Sequence, residues 1–162
     1  MLRMLASLLA IGGVCGLLLV ATDGVTAEQI KLNREARARA VMADMLGGPL
    51  PADLDVHAPT TGDCAGAIFA RVAASGYAGE IDLLALRETP GRFKLRVTRH
   101  RETPGIGDFI DHTRDPWITR FDGIDAEAWA AIDNVSGATV TTAAIRRAAG
   151  TAAQQVRDHC ER

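Results

Sequence analysis

The segment EIDLLALRETPGRFKLRVTR (80–99) decides the fold of this chain. Near its end the apolar residues Phe93, Leu95 and Val97 alternate with polar residues, which predicts a strand with one buried face. The apolar run at the start of the segment predicts a second strand. A Pro-Gly pair (90–91) lies between them, and these are the residue types that a tight turn requires. The segment therefore predicts a β-hairpin.

A third strand is predicted directly upstream of this hairpin. AGAIFARVA has the composition of a strand, and a Ser-Gly-Tyr turn separates it from the next one. The segment before it, residues 50–63, contains two prolines and three aspartates and is expected to be a loop. The sheet is expected to be mainly antiparallel. Its three predicted strands lie at 65–73, 80–86 and 93–99.

The pentapeptide RETPG occurs twice, at 87–91 and at 101–105. The first copy lies between the two strands of the hairpin and is expected to be only a turn. The second copy follows the last predicted strand and leads into Ile106 and Gly107. A glycine at this position permits close approach of the backbone to another chain segment or to a ligand.

A helix is expected at the C-terminus, because apolar residues recur there on one stripe from Ala144 to Val156. The segment before it, DNVSGAT (133–139), is polar and small. The free N–H groups and the dipole of a helix N-terminus favour an anion such as phosphate. An ordinary helix cap explains the same residues. The Gly-Lys-Ser/Thr ending of a P-loop is absent, so nucleotide hydrolysis is not indicated.

The N-terminus contains 19 residues without a charge, MLASLLAIGGVCGLLLVAT (4–22). A run of this length is sufficient to span a bilayer as one helix. A cleaved secretory signal is the alternative, with Val-Thr-Ala (25–27) as the cleavage site. The apolar run exceeds the usual length in signal peptides, which favours an uncleaved anchor.

A second helix is predicted to start after this run. Thr26 and Gln29 have the spacing of a capping box, with Thr26 as the N-cap residue. The helix is expected to end at Gly-Gly-Pro (47–49), since glycine and proline stop helices.

Composition excludes some classes of function. The net charge is −2 at pH 7, and no basic patch is interleaved with aromatic residues, so nucleic-acid binding is not expected. Cys64 and Cys160 lack the spacing of metal ligands, and no metal site is expected. A disulfide between them and two free buried thiols both remain open.

Three segments behind the apolar N-terminal run resemble a known family of flavoproteins. They are HRETPGIGDFI (100–110), DPWITRF (115–121) and DNVSGATVTTAAI (133–145). In this order they resemble the FMN-binding G subunit of Rnf-type ion-translocating electron transport complexes and the related C subunit of sodium-translocating NADH:quinone reductases. GYAG (76–79) is similar to the GYSG turn of that family.

The resemblance implies that FMN is bound covalently, through a phosphoester to Thr139. A flavin transferase forms this bond in the family, with FAD as donor. No residue is expected to act as a catalytic acid, base or nucleophile toward a substrate. Glu102 is expected either to form a hydrogen bond to the flavin ring or to cap the turn. The other cofactor-binding residues implied by the two motifs are Asp133, Ser136, Gly137, Ala138, Glu102, Thr103 and Gly105.

The resemblance also implies the organisation of the chain. The fold is expected to be α+β, with an N-terminal transmembrane helix, a mainly antiparallel sheet and flanking helices. We expect a transmembrane anchor over residues 1–22, an amphipathic helix or linker over 23–49, and an FMN-binding domain over 50–162. The segment before Cys64 is short for the family, so the sheet is expected to lack an edge strand.

The expected function is electron transfer by a membrane-anchored subunit within a complex that couples ferredoxin/NAD electron flow to ion translocation. The partners are then the other subunits of this complex, the flavin transferase and the membrane. The family implies a location in the bacterial inner membrane, with the soluble domain on the periplasmic side. Two alternatives remain: a stand-alone extracytoplasmic FMN electron-transfer protein, and a non-redox membrane-tethered assembly module.

Overall fold

The computed structural model describes residues 2–161 and has the expected α+β architecture. Along the chain, one long helix precedes the strands and another follows them, and three short 3-10 helices connect the last strand to the second long helix. The elements are α1 (Leu2–Leu46), β1 (Thr60–Gly62), β2 (Ile68–Ser75), β3 (Glu80–Thr89), β4 (Arg92–Arg99), 3-10 helices at Asp108–Ile110, Pro116–Phe121 and Ala126–Ala131, and α2 (Thr139–Cys160).

The four strands form one antiparallel sheet in the order β1-β2-β3-β4. The predicted hairpin is confirmed: Thr89 pairs with Arg92 across the turn, and Gly91 has a φ of +77°. The alternation in β4 is also confirmed, because Phe93, Leu95 and Val97 are all buried.

The expectation that the sheet lacks an edge strand is wrong. β1 has only three residues, and it pairs with β2 from Thr60↔Ala70 to Gly62↔Ile68. The predicted loop before Cys64 therefore contains a short strand. A strand of this length needs few residues and little apolar sequence, which is why the loop composition hid it.

The opposite edge of the sheet, at β4, is covered by the chain that follows it. The N–H of Leu95 donates to Oδ1 of Asp122, and the N–H of Gly123 donates to the carbonyl of Phe93. Asp122 also forms an ion pair with Arg96 at 2.8 Å. The backbone groups at this end of β4 thus have partners although no fifth strand is present in residues 2–161.

The core lies on both faces of the sheet. One face packs against α2, whose small residues Ala148, Ala149, Ala152 and Ala153 are buried and allow the helix to lie close to β2. A second cluster covers the other face. It consists of Met42, Met45, Leu54, Val56, Phe69, Leu84 and Leu86.

α1 is one continuous helix through Thr26, so the predicted N-cap there is wrong. The Thr26 hydroxyl donates instead to the carbonyl of Thr22, one turn earlier. The contacts divide the chain into a unit that ends at Arg37 and a unit that begins at Ala38. An 18-residue window of α1 has a mean hydropathy of 2.4 and is apolar and long enough to cross a membrane.

Cys64 and Cys160 form a disulfide, with their Cα atoms 5.6 Å apart. The bond joins the C-terminal end of α2 to the loop before β2. Cys15, in α1, is exposed and has a free thiol.

Candidate functional site

The two sequence motifs meet at one pocket, although they are far apart along the chain. The pocket has a volume of about 390 Å³, which lies within the usual range for small-molecule sites. The turn between β2 and β3 contributes the remaining wall. Its lining residues are Tyr77, Glu102, Thr103, Ile106, Gly107, Gly137, Ala138, Thr139, Val140 and Thr141.

The N-terminus of α2 opens into this pocket without a side-chain cap. Its N-cap residue is Ala138, which has no side-chain oxygen, and no side-chain hydrogen bond caps the helix. The N–H groups of Thr139, Val140 and Thr141 form no hydrogen bond to an acceptor within residues 2–161. The structure therefore does not support the interpretation of SGAT as an ordinary helix cap. It leaves three donors available to an anion.

Gly137 gives the chain the conformation that leads into α2. Its φ is +81°, in a region that other residues rarely adopt, and an added Cβ would meet no atom within 4 Å. Glycine is therefore favoured at position 137 by the backbone conformation, since a side chain there would meet no neighbouring atom.

The three threonines at the start of α2 differ in whether their hydroxyl groups have hydrogen-bond partners. Thr141 and Thr142 are buried, at 1% and 0% exposure. The Thr141 hydroxyl donates to Glu102, and the Thr142 hydroxyl lies within hydrogen-bond distance of Asn134 Oδ1 and the carbonyl of Ala138. Thr139 is exposed, and within residues 2–161 its hydroxyl has no hydrogen-bond partner. Only Thr139 among these three offers a free hydroxyl to the pocket.

The loop before α2 is fixed by one arginine. Arg146 donates to the carbonyls of Ala130 and Ile132 and to Oδ1 of Asn134. These bonds hold residues 130–134 against the second turn of α2. Asp133 and Ser136 of the DNVSGAT segment are both exposed in this loop, and neither is among the residues that line the pocket.

The second motif folds as a tight turn at the pocket. The N–H groups of Ile106 and Gly107 both donate to the carbonyl of Thr103, and Gly105 has a φ of +77°. Gly91 in the first RETPG copy has the same φ value. The two copies therefore form the same kind of turn, with Pro-Gly at its centre. Only the second lines the pocket.

Glu102 is the buried member of the second motif, with 5% exposure. Its Oε1 accepts a hydrogen bond from the N–H of Ala78 at 3.1 Å, and its Oε2 accepts one from the Thr141 hydroxyl at 2.7 Å. Both carboxylate oxygens therefore have donors within the protein. The corresponding residue of the first copy, Glu88, forms an ion pair with Lys94 at 2.6 Å.

An apolar wall borders the pocket, formed by the side chains of Tyr77, Ile106 and Val140. Their exposed fractions are 77%, 61% and 52%. From residue 38 to residue 161 these are the only large hydrophobic side chains that are exposed. Apolar side chains exposed together beside polar groups are typical of a site that receives a partly apolar ligand.

Five residues that line the pocket are absent from the predicted cofactor-binding residues: Tyr77, Ile106, Gly107, Val140 and Thr141. The first three belong to segments that the sequence analysis singled out, whereas Val140 and Thr141 follow directly after the SGAT residues. Gly105, which was predicted, does not line the pocket. Thr141 carried a detectable signal, since it lies on the inward side of a helix whose apolar stripe begins three residues later. Its partner Glu102 lies 39 positions away.

Within residues 2–161 no group of three His, Cys, Asp or Glu side chains is suited to hold a metal ion.

Comparison with known proteins agrees with this geometry. A family model described as "FMN-binding domain" matches residues 76–154, a range that contains every residue of the pocket lining. A protein of Pseudomonas aeruginosa is 33% identical over 90% of this chain and 82% of its own length. A protein of Yersinia pestis is 34% identical over 80% of this chain and 67% of its own length. A protein of Pectobacterium atrosepticum is 33% identical over 70% of this chain and 53% of its own length. All three are named as the G subunit of an ion-translocating oxidoreductase complex.

Proposed function

Because the chain belongs to the family of G subunits of Rnf-type ion-translocating oxidoreductase complexes, we propose that it carries FMN covalently on Thr139 and transfers electrons within such a complex. The presence of an FMN-binding domain makes it a flavin electron-transfer subunit of an oxidoreductase. The site of attachment, the coupling of ferredoxin/NAD electron flow to ion movement and the membrane location are the proposal.

The observation that carries the proposal is the free hydroxyl of Thr139 at an uncapped helix N-terminus. Thr139 is the first residue of α2, where three N–H groups have no acceptor and the positive end of the helix dipole favours an anion, so a phosphate on Thr139 Oγ would be stabilised there. The neighbouring hydroxyls of Thr141 and Thr142 are already engaged. The residues present thus fit the phosphate of FMN, and the apolar wall fits a flat ring system.

Attachment is proposed to occur by phosphoryl transfer from FAD, catalysed by a flavin transferase. The Thr139 Oγ attacks the phosphorus of the FMN half, and the new Oγ–P bond forms. The bond from that phosphorus to the bridging oxygen of the pyrophosphate breaks, AMP leaves, and the hydroxyl proton passes to the transferase or to water. The step involves no oxidation or reduction.

Once attached, FMN supplies the reversible electron transfer, and the protein supplies its position and surroundings. The N–H groups of the first turn of α2 would bind the phosphate. Ile106 and Val140, which line the pocket, would supply apolar surface for the ring. No side chain is required to act as an acid, base or nucleophile toward a substrate.

The membrane location is proposed from the apolar N-terminal helix and from the disulfide. An α1 window with a mean hydropathy of 2.4 is suited to anchor the chain in the bacterial inner membrane. A disulfide such as Cys64–Cys160 persists in an oxidising compartment, which supports a periplasmic position for the domain. The remaining proteins of the complex are then the partners.

Co-expression with a flavin transferase, followed by mass spectrometry, tests the attachment. We expect the peptide that contains Thr139 to gain the mass of one FMN phosphoester, and Thr139→Val to abolish the adduct. Thr139→Ser should retain it because the hydroxyl is retained. Ser136→Ala is the matched control, since its hydroxyl is exposed in the same loop but does not line the pocket.

An adduct that persists in Thr139→Val, or one that maps to Ser136, would overturn the assignment of Thr139. A wild-type protein that stays colourless after co-expression would overturn covalent FMN binding altogether. Purification of the loaded protein from its native membrane without partner subunits would instead indicate a stand-alone electron-transfer protein.

A further inference from the structure

We propose that Glu102 is a positioning residue, which holds the first turn of α2 against the second motif and thereby aligns Thr139 with the apolar wall. This inference rests on the proposed function, because it concerns the site of FMN attachment. It assigns Glu102 a role toward the protein and not toward a substrate.

The carboxylate of Glu102 joins three separate segments of the chain. Its own backbone belongs to the second motif, its Oε1 binds the N–H of Ala78 in the β2–β3 turn, and its Oε2 binds the hydroxyl of Thr141 in α2. Each of these segments supplies one residue of the apolar wall: Ile106, Tyr77 and Val140. One side chain thus fixes the relative positions of all three parts of the wall.

Two glycines make room for this carboxylate. A Cβ on Gly76 would overlap Oε1 of Glu102, and a Cβ on Gly107 would lie 2.8 Å from both its Cβ and Oε2. Contacts this short do not occur with real Cβ atoms, so any larger residue at either position would displace the Glu102 side chain. The close fit indicates that the carboxylate occupies one defined position.

The burial of Glu102 is costly, which indicates that it serves more than packing. Within residues 2–161 it has no ion-pair partner, and its two hydrogen bonds come from neutral donors. Removing a polar carboxyl group from water costs free energy that its hydrogen bonds offset only in part, and an apolar side chain of similar size would fill the same space at a lower cost. The two directed hydrogen bonds are what an apolar residue would lack.

Hydrogen exchange of the protein without FMN tests the coupling between the segments. In Thr141→Val, we expect amide exchange to accelerate about tenfold in residues 142–145, the first hydrogen-bonded amides of α2, and also at Gly76 and Ala78, since a buried hydrogen bond that joins the two segments is lost. Thr141→Ser should restore wild-type exchange because it restores the hydroxyl. Faster exchange confined to residues 142–145 would overturn the proposal.

The first RETPG copy provides a matched control. Glu88 has the same place in the same pentapeptide, but it pairs with Lys94 and does not line the pocket. Glu88→Ala should therefore leave exchange in both segments unchanged, whereas Glu102→Ala should accelerate it in both. Glu102→Gln should lie close to wild type, because an amide can still accept from Ala78 and donate to the Thr141 oxygen.

The flavin spectrum of the loaded protein separates positioning from simple stabilisation. We expect Thr141→Val to weaken the visible circular dichroism that the protein induces in FMN, and Thr141→Ser to restore it. If the adduct forms and this signal is unchanged in Thr141→Val, the positioning role is wrong while the proposed function stands. If the wild type forms no adduct, the proposed function fails, and the exchange experiment still decides the coupling.

Discussion

Removal of the disulfide should cost the domain several kcal/mol of stability. Cys64 and Cys160 are 96 positions apart, so their bond closes a long loop in the unfolded chain. The loss of chain entropy on closing such a loop corresponds to about 4.7 kcal/mol at 25 °C, and measured losses for small secreted domains are about 2–5 kcal/mol. Cys64→Ser is the cleaner substitution, because Cys64 is exposed whereas Cys160 contacts the core.

Urea unfolding of the detergent-solubilised chain, followed by tryptophan fluorescence, measures this loss. Trp117 and Trp129 are buried at 4% and 1% exposure, so their emission reports the unfolding of the core. We expect Cys64→Ser to lower the free energy of unfolding by about 2–5 kcal/mol, and reductant to lower that of the wild type equally. Cys15→Ala serves as the control. A change below about 1 kcal/mol would refute the loop-entropy reasoning.

Two further predictions concern the turns and the response to acid. Gly91→Ala and Gly105→Ala should each destabilise the folded domain by about 1 kcal/mol or more, because the φ of both residues is +77°. Gly91→Ala should be the more destabilising of the two, since its Cβ would overlap Asp125, and the melting temperatures of the two variants test this order. Burial raises the pKa of Asp111, but hydrogen bonds from the N–H and hydroxyl of Thr113 outweigh it and hold the pKa below its ordinary value. A carboxyl group whose pKa is lower in the folded than in the unfolded state stabilises the fold above the unfolded pKa, and this stability is lost as the pH falls through the folded pKa. Asp111→Asn should therefore lose less stability than the wild type below about pH 4. Equal acid sensitivity of the two proteins would contradict this.

The sheet and the C-terminal helix could be predicted from sequence because their signals are local. The hairpin of β3 and β4 follows from alternation and from a Pro-Gly turn between neighbouring segments. The start of α2 follows from the small residues before Thr139. In each case the residues that decide the structure are close together in the chain.

The parts that sequence reasoning missed depend on distant contacts or on competing local preferences. The capping box at Thr26 is a favourable start for a helix, but α1 already extends from Leu2 and contains no proline, and it continues through Gly24 and Thr26 without a break. β1 forms because β2 offers it a free edge, which its own composition does not indicate. The bond between Glu102 and Thr141 joins residues 39 positions apart, and only the tertiary structure brings them together.

The resemblance contributed what local patterns could not, namely the pairing of the two motifs. Taken separately, a Pro-Gly turn and a set of small residues before a helix are common features of proteins. The pocket that contains Thr103, Ile106 and Thr139 gives this pairing a physical basis. The roles of the individual motif residues toward FMN stay predictions until the adduct is mapped.

The bond from Leu95 to Asp122 restricts how this domain can associate with other proteins. An exposed strand edge can recruit a strand from another chain, which is one route to complexes and also to aggregates. At the Phe93 and Leu95 end of β4 the outward backbone groups are already bound by Gly123 and Asp122. A partner that added a strand there would first have to displace Asp122 and break its ion pair with Arg96. Contact through side chains does not carry that cost.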